Sequence, residues 1–339
     1  MFRYIIFFLA IALALPMSLW AAPAKGIGMW VWSESSFSTN EARQRLVQFC
    51  VKRHISHLDI HIQMTRDDGI PVLPAAEAFK ELILLAGQHN ITTAALRGNP
   101  KMFFSQNHAQ TLSELRAIID FSATLPKDHW FKGIKYDVEP YLTKEWKANE
   151  ASLKAVMLDY LDFLHKAQSV LDEEAPHLWL AVDMPFWWDK DKFILEFDGK
   201  NKRLNEHVQD MTDFVVVMSY RRSTRQVLSC VKNEWGYAKQ INKVIFTSLE
   251  TIKLRQDQNI SFWDLPFAEL WNIVPQLLET AKGDPAMGGV MIHCYRSLVE
   301  KLQNDPSNKS EADDTHHYDN TDRECLAGSA RCAGLFRPL

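Results

Sequence analysis

The sequence has no excess of charge of either sign and no long run of Lys or Arg. Its 339 residues carry 38 Lys and Arg against 42 Asp and Glu, for a formal net charge of −4. Proteins that bind nucleic acid normally need a basic face to displace counterions from the phosphates, so we expect no nucleic-acid partner. With 47% hydrophobic and 24% charged residues, the composition is globular and excludes disorder as the main state.

After its first segment, the sequence has no apolar run long enough to span a bilayer. Residues 1–22 place Arg3 before an unbroken apolar stretch that reaches Pro16 and is followed by small residues. This is the pattern of a secretory signal peptide. We therefore expect cleavage after Ala21 or Ala22, a mature protein without a membrane span, and a periplasmic or secreted location. Retention of the segment as a membrane anchor is the alternative.

A Gly-rich phosphate turn after the first predicted strand, which a doubly wound nucleotide-binding sheet would need, is also missing. Instead, short β-branched or aromatic runs alternate with longer amphipathic stretches. This order predicts a single (β/α)8 TIM barrel over residues 26–303 and a polar, irregular tail over residues 304–339. The predicted strands are Gly26–Trp32, His57–Ile62, Ile91–Leu96, Phe131–Asp137, Leu178–Asp183, Asp213–Tyr220, Lys243–Leu249 and Gly288–Cys294. Predicted helices include Asn40–Arg53, Ala75–His89, Leu112–Leu125, Glu150–Leu171 and Phe262–Ala281.

Alternate residues of a barrel strand point into the barrel or out towards the helices, and this parity assigns the polar residues to a face. In the fourth strand the outward positions are apolar, which leaves Lys135, Asp137 and Glu139 pointing inward. Because active sites of this fold lie at the carboxyl ends of the strands, this face is the predicted site, with Lys135 one layer below as a structural counter-ion. Similar reasoning places further polar groups at the mouth, namely Asp59, His61, Arg97, Asp183, Tyr220, Glu250 and His293.

The fourth strand, KGIKYDVEP at Lys132–Pro140, resembles the strand-four signature of family 18 glycoside hydrolases, the chitinase-like barrels. In that family an aspartate lies two residues before a catalytic glutamate, and Asp137 and Glu139 occupy those positions. Val216–Tyr220 and Gly288–Met291 resemble the family's sixth and eighth strands. The resemblance implies a general acid at Glu139 and a role for Asp137 in assisting a substrate acetamido group.

A second resemblance involves the same glutamate. Glu139-Pro140 is similar to the strand-four acid/base of the retaining glycosidase clan that carries its nucleophile on strand seven, and Glu250 ends the predicted seventh strand. Val138 stands where that clan usually has asparagine. This resemblance implies that Glu250 attacks the sugar directly while Glu139 again supplies the proton. Both mechanisms remain open on the sequence.

The sequence thus predicts a glycoside hydrolase that acts on an oligosaccharide or a cell-envelope polysaccharide and needs no cofactor. The predicted catalytic residues are Glu139, Asp137, Glu250 and Tyr220. The predicted sugar-binding residues are Trp32, Asp59, His61, Arg97, Asp183, Trp187 and His293.

Two alternatives belong to other classes. Lys132 and Lys135 replace the two earlier aspartates of the family 18 signature, which favours a barrel that binds sugars without cleaving them. A metal-dependent hydrolase or deacetylase would use Asp59, His61, Asp183 and His293 as ligands. The sugar, its linkage and the oligomeric state are not determined by these patterns.

Overall fold

The computed structural model describes residues 24–126, 130–255 and 257–304. The predicted signal segment, residues 1–22, lies outside the described residues, as does the tail after residue 304. Cleavage, export and the character of the tail therefore stay predictions. Within the described ranges, no helix is both long and apolar enough to cross a membrane.

Eight parallel strands close into a barrel in which the last strand pairs with the first. Numbered one to eight along the chain, they are Gly26–Val31, Ile55–His61, Thr92–Arg97, Phe131–Tyr136, Trp179–Pro185, Phe214–Met218, Val244–Glu250 and Met287–His293. Every strand pairs with its neighbour in the chain, as right-handed βαβ crossovers require. The predicted (β/α)8 barrel is confirmed, and each predicted strand overlaps an observed one.

The helices of the described residues surround the barrel. They are α1 (Asn40–Lys52), α2 (Ala76–Gln88), α3 (His108–Ala123), α4 (Glu150–Glu174), α5 (Leu204–Met211), α6 (Thr224–Cys230), α7 (Lys232–Gln240), α8 (Phe267–Gly283) and α9 (Tyr295–Asn304). The five predicted helices are present, but α8 begins at Phe267 and not at Phe262. The Phe262 backbone N–H donates to the Glu250 carbonyl at 2.8 Å, which ties this segment to strand seven and prevents an earlier helix start.

Two short antiparallel hairpins were not predicted. One follows strand two and pairs Thr65–Asp67 with Ile70–Val72. The other follows strand five and pairs Ile194–Phe197 with Lys200–Arg203. Each contains only three or four residues per strand, which is too short for a clear alternation of apolar and polar residues.

The core has two layers, which confirm the predicted strand parity. The residues between the barrel and the helices include Leu58, Ile60, Ile134, Tyr136, Ile245 and Leu249. The barrel interior holds a separate cluster that includes Trp30, Leu96, Trp179, Phe214, Phe246 and Met291. Polar side chains occupy the inward positions closer to the carboxyl ends of the strands.

Glycines close the seam between strands one and eight. Gly289 has a φ of +136°, and a Cβ at this position would collide with the Gly26 carbonyl oxygen. The close approach of the two backbones therefore requires glycine here. This seam brings the end of strand one beside the end of strand eight.

Candidate active site

A lysine ammonium lies between two carboxylates inside the barrel. Lys135 Nζ is 2.6 Å from Asp59 Oδ2 and 2.8 Å from Asp183 Oδ1, and all three side chains are at most 1% exposed. The ammonium also lies 4.0 Å from the centre of the Trp30 ring, whose indole N–H donates to Asp183 Oδ2 at 3.0 Å. On the other side, His57 Nε2 is 2.9 Å from Asp59 Oδ1. The predicted role of Lys135 as a counter-ion is confirmed.

The three charged groups of this cluster differ in their affinity for protons. Burial alone would raise the pKa of Asp59, but Lys135 and His57 hold it below its usual value. At Asp183, burial outweighs the attraction of Lys135 and raises the pKa to about 8. Burial opposes the charge of Lys135, but the two carboxylates raise its pKa. Asp59 and Lys135 therefore form a buried ion pair, and Asp183 is the group that takes up a proton near neutral pH.

Above this cluster, strand four ends in two acidic residues on the inward face. The Glu139 side chain is buried, and the Tyr141 hydroxyl donates a hydrogen bond to its Oε1. Asp137 is half-buried, but its Oδ1 atom is buried and has no hydrogen-bond partner among the described residues. Burial and the neighbouring charge of Glu139 raise the pKa of Asp137 to about 7. Because neighbouring carboxylates disfavour double ionisation, the pair holds one proton below about pH 7.

The third acidic residue, Glu250, ends strand seven and is surrounded by N–H donors. Its Oε1 accepts the backbone N–H groups of Thr251 and Ile252, each at 2.7 Å. His293 Nδ1 lies 3.1 Å from both carboxylate oxygens. The side chain is only 2% exposed. These donors fix the carboxylate in one orientation and stabilise its negative charge.

His293 is enclosed by aromatic rings from strands one and six. The Trp32 indole N–H donates to His293 Nε2 at 2.7 Å. Tyr220 stacks on the imidazole with ring centres 6.3 Å apart and planes 26° apart, and the Trp30 edge approaches to 5.5 Å. The predicted site residues Trp32, Tyr220, Glu250 and His293 therefore form one contiguous group.

The hydrogen bonds of His293 define its proton position. An indole nitrogen is a donor only, so Nε2 is the acceptor in the bond from Trp32 and carries no proton. The ring proton is then on Nδ1 and is donated to Glu250. Although burial opposes a charge on His293, Glu250 raises its pKa to about 10, which favours the imidazolium. The second proton has no room while Trp32 donates to Nε2, so in this arrangement the imidazole is neutral.

His61 also faces the barrel mouth, where its ring lies 5.2 Å from that of Trp32. Burial and the nearby Arg97 guanidinium lower the pKa of His61 to about 4. The imidazole is therefore neutral over the physiological range. It supports the Trp32 ring from the side opposite the barrel seam.

Arg97 was predicted at the barrel mouth as a sugar-binding residue, and this role stays a prediction. On strand three, Ala94 and Leu96 face the interior, so the side chain that follows Leu96 points towards the helices. The Arg97 guanidinium donates to Glu114 on α3 at 2.6 Å and to the Ile62 carbonyl at 2.5 Å. Arg97 thus joins strand three to α3.

An aromatic cluster lies beyond strand five. Trp187 is half-buried, and its ring is 5.2 Å from Tyr141, 6.2 Å from Trp146 and 5.4 Å from Phe193. Tyr141 connects this cluster to Glu139 through its hydroxyl. Tyr141 was not among the predicted site residues, although its position two residues after Glu139 in the chain was a signal for it.

The charges of the site give no support to a metal-dependent reaction. The Lys135 ammonium occupies the space between Asp59 and Asp183. Both ring nitrogens of His293 are already hydrogen-bonded, one to Glu250 and one to the Trp32 indole. Across the described ranges, no group of three or more His, Cys, Asp or Glu side chains has the arrangement of a metal site.

Comparisons with known proteins identify the fold. No protein-family model matches the sequence, and no curated protein matches it. Among solved structures, a calcium-binding mutant of β-glucuronidase 2 from Bacteroides uniformis matches with a TM-score of 0.55 and 14% identity, over 80% of this chain. A β-glucosidase from Thermotoga maritima matches with 0.54 and 10%, over 80% of this chain and 87% of its own. An endo-1,4-β-D-mannanase from Thermotoga petrophila matches with 0.51 and 11%, over 80% and 88%.

At these identities the likeness shows the fold alone, a (β/α)8 barrel. This chain spans only 31% of the glucuronidase chain that it matches. Neither sequence resemblance is established as family membership by these comparisons.

Proposed function

We propose that this protein is a glycoside hydrolase in which Glu139 is the general acid/base and Glu250 the nucleophile. The observation that carries the proposal is a pair of buried glutamates at the carboxyl ends of strands four and seven, held in different surroundings. Glu139 lies beside another carboxyl and accepts a phenolic O–H. Glu250 has only N–H donors among its hydrogen-bond partners described above. Glycoside hydrolysis needs one protonated and one negatively charged carboxyl.

The surroundings of Glu139 suit proton transfer. The acidic pair with Asp137 holds one proton below about pH 7, and in the proposed reaction Glu139 passes that proton to the leaving oxygen. When Glu139 gives that proton up, the pair is left with two negative charges. Their mutual repulsion favours the uptake of a proton from water by Glu139 in the second step. This exchange of roles between acid and base is what a double displacement requires.

The surroundings of Glu250 suit nucleophilic attack. Two backbone N–H groups and the His293 Nδ1–H hold the carboxylate in place, so little reorganisation is needed when it attacks. In the proposed reaction a Glu250 oxygen bonds to the anomeric carbon as the glycosidic bond breaks and Glu139 protonates the leaving oxygen. Water then attacks the glycosyl ester with Glu139 as base, which releases the sugar and restores Glu250.

One observation favours a second mechanism. The buried Asp137 Oδ1 has no partner among the described residues, and a substrate acetamido N–H would supply one. Asp137 would then orient the acetamido oxygen for attack on the anomeric carbon, and only N-acetylated sugars would be cleaved. Glu139 remains the acid in this alternative.

The substrate is proposed only as a class, an oligosaccharide or a cell-envelope polysaccharide reached by a secreted or periplasmic enzyme. Half-buried Trp187 and Trp32 offer faces suited to sugar rings. The solved structures of similar fold include enzymes named for glucuronides, glucosides and mannans, and no single sugar is common to them.

The test begins with purified protein, a panel of aryl glycosides and envelope polysaccharides, each with and without chelator. For any substrate cleaved, Glu139→Gln should lower kcat on unactivated substrate by about 10²–10⁴-fold, whereas the exposed control Glu269→Gln should not change it. Binding without turnover would favour the non-catalytic barrel. Turnover that is lost with chelator would favour the metal-dependent alternative.

The nucleophile is assigned with a 2-deoxy-2-fluoro glycoside and intact mass. We expect one covalent sugar on Glu250 and none on Glu250→Ala, and azide should rescue that variant with a glycosyl azide as product. If Asp137→Ala costs far more activity than Glu250→Ala and no label forms, the acetamido mechanism replaces the proposed one.

A further inference from the structure

The hydrogen-bonded series Trp32–His293–Glu250 crosses the seam of the barrel. Trp32 Nε1 lies 2.7 Å from His293 Nε2, and His293 Nδ1 lies 3.1 Å from each of the two Glu250 carboxylate oxygens. The His293 side chain is 8% exposed and that of Glu250 is 2% exposed, so water does not compete freely for either group. Trp32 is the outermost member and is half-buried.

Neighbouring residues hold the Trp32 ring in one position at the barrel mouth. Its ring contacts His61 at 5.2 Å between centres, and it lies so close to Gly98 that a Cβ there would be 3.1 Å from Trp32 Cη2. The neutral His61 adds no charge to this contact. The ring is therefore held in the orientation that points its N–H at His293.

The protonation of His293 and the bond from Trp32 exclude each other. A proton on Nε2 would face the indole N–H, and two donors cannot share one hydrogen bond. The titratable groups around the imidazole are Glu250 from strand seven, Asp137 from strand four, Tyr220 from strand six and the adjacent Cys294. Glu250 and Asp137 both favour the imidazolium, so without the Trp32 donor His293 would carry a positive charge.

We propose that Trp32 is a positioning residue whose indole N–H keeps His293 neutral, with its proton on Nδ1, so that Glu250 accepts a hydrogen bond from a neutral donor and stays an effective nucleophile for attack on the sugar. This inference rests on the proposed role of Glu250. A neutral donor orients the carboxylate, whereas an imidazolium at the same place would form a charge-assisted ion pair with it and weaken it as a nucleophile. Trp32 thus sets the reactivity of a group that it does not touch.

The test uses full-length protein labelled with 15N at histidine, in which the His293 signals are those missing from His293→Gln. In the wild type at pH 7 we expect one protonated and one unprotonated ring nitrogen. In Trp32→Phe, which keeps an aromatic ring but has no N–H, both nitrogens should be protonated at pH 7. Trp146→Phe, in the aromatic cluster beyond strand five, is the matched control and should leave His293 as in the wild type.

An activity profile gives the second readout. Trp32→Phe should lower kcat at pH 7 and regain activity at alkaline pH, as His293 loses its extra proton. Two protonated nitrogens in the wild type, a neutral His293 in Trp32→Phe, or the same change in Trp146→Phe would each overturn the inference. The NMR result does not depend on turnover. If the proposed function fails but the inference about Trp32 holds, no substrate is cleaved and the His293 signals are still those expected.

Discussion

Replacing Lys135 by Met tests the charged cluster inside the barrel. Met keeps the apolar stem against Trp30 but leaves Asp59 and Asp183 without the ammonium that lies 2.6 and 2.8 Å away. Removal of one partner from a buried ion pair costs about 3–5 kcal/mol, because the remaining charge is desolvated and uncompensated. We expect Lys135→Met to lower the free energy of unfolding by about that amount at pH 8.

The loss should depend on pH in a defined direction. In the wild type the pKa of Asp59 is held down by Lys135, so this carboxylate stabilises the fold above its ordinary pKa, and the contribution is lost as the pH falls. In the variant, burial raises the pKa of both carboxyls and only His57 still opposes it at Asp59, so the variant loses stability as the pH rises. The difference between the two proteins should therefore shrink to about 1–2 kcal/mol near pH 4, where both carboxyls of the variant are protonated.

Urea unfolding at pH 4, 6 and 8 measures this difference by linear extrapolation. Lys144→Met is the control, because the Lys144 side chain is 92% exposed and its replacement should change stability by less than about 0.5 kcal/mol. Adding Asp183→Asn to Lys135→Met should recover part of the loss at pH 8. The reasoning is refuted if Lys135→Met costs less than about 1 kcal/mol at pH 8, or if the cost is the same at pH 4.

Four further predictions concern other parts of the chain. Burial raises the pKa of Glu234 to about 8, so ionisation of Glu234 destabilises the fold as the pH rises. Glu234→Gln should therefore leave Tm unchanged at pH 5 and raise it at pH 9. Equal changes in Tm at the two pH values would contradict this. Gly289→Ala should cost at least about 2 kcal/mol in urea through strain and overlap. Gly236→Ala, in α7 with open space around it, should stabilise by about 0.5–1 kcal/mol. Protein recovered from its native host should begin near Ala22 or Pro23 by N-terminal sequencing, whereas a retained Met1 would indicate an anchor.

The sequence by itself determined the barrel and the inward acidic face of strand four. The alternation of side chains along a strand is local, so Lys135, Asp137 and Glu139 could be placed on one face from their spacing alone. The parity of strand three was harder to assign, because Ala94 and Ala95 are equally small and apolar. Arg97 was predicted at the barrel mouth, and only the structure shows that its guanidinium pairs with Glu114 on α3.

The tertiary structure alone decided which inward groups meet. Lys135 contacts Asp59 and Asp183 because closure of the barrel brings strands two, four and five around one interior. Trp32 and His293 are 261 positions apart in the chain, and they are neighbours because strand one pairs with strand eight at a seam of glycines. Local periodicity carries no information about this closure or its register. The tautomer of His293, and with it the charge beside Glu250, therefore follows from the fold and not from any motif.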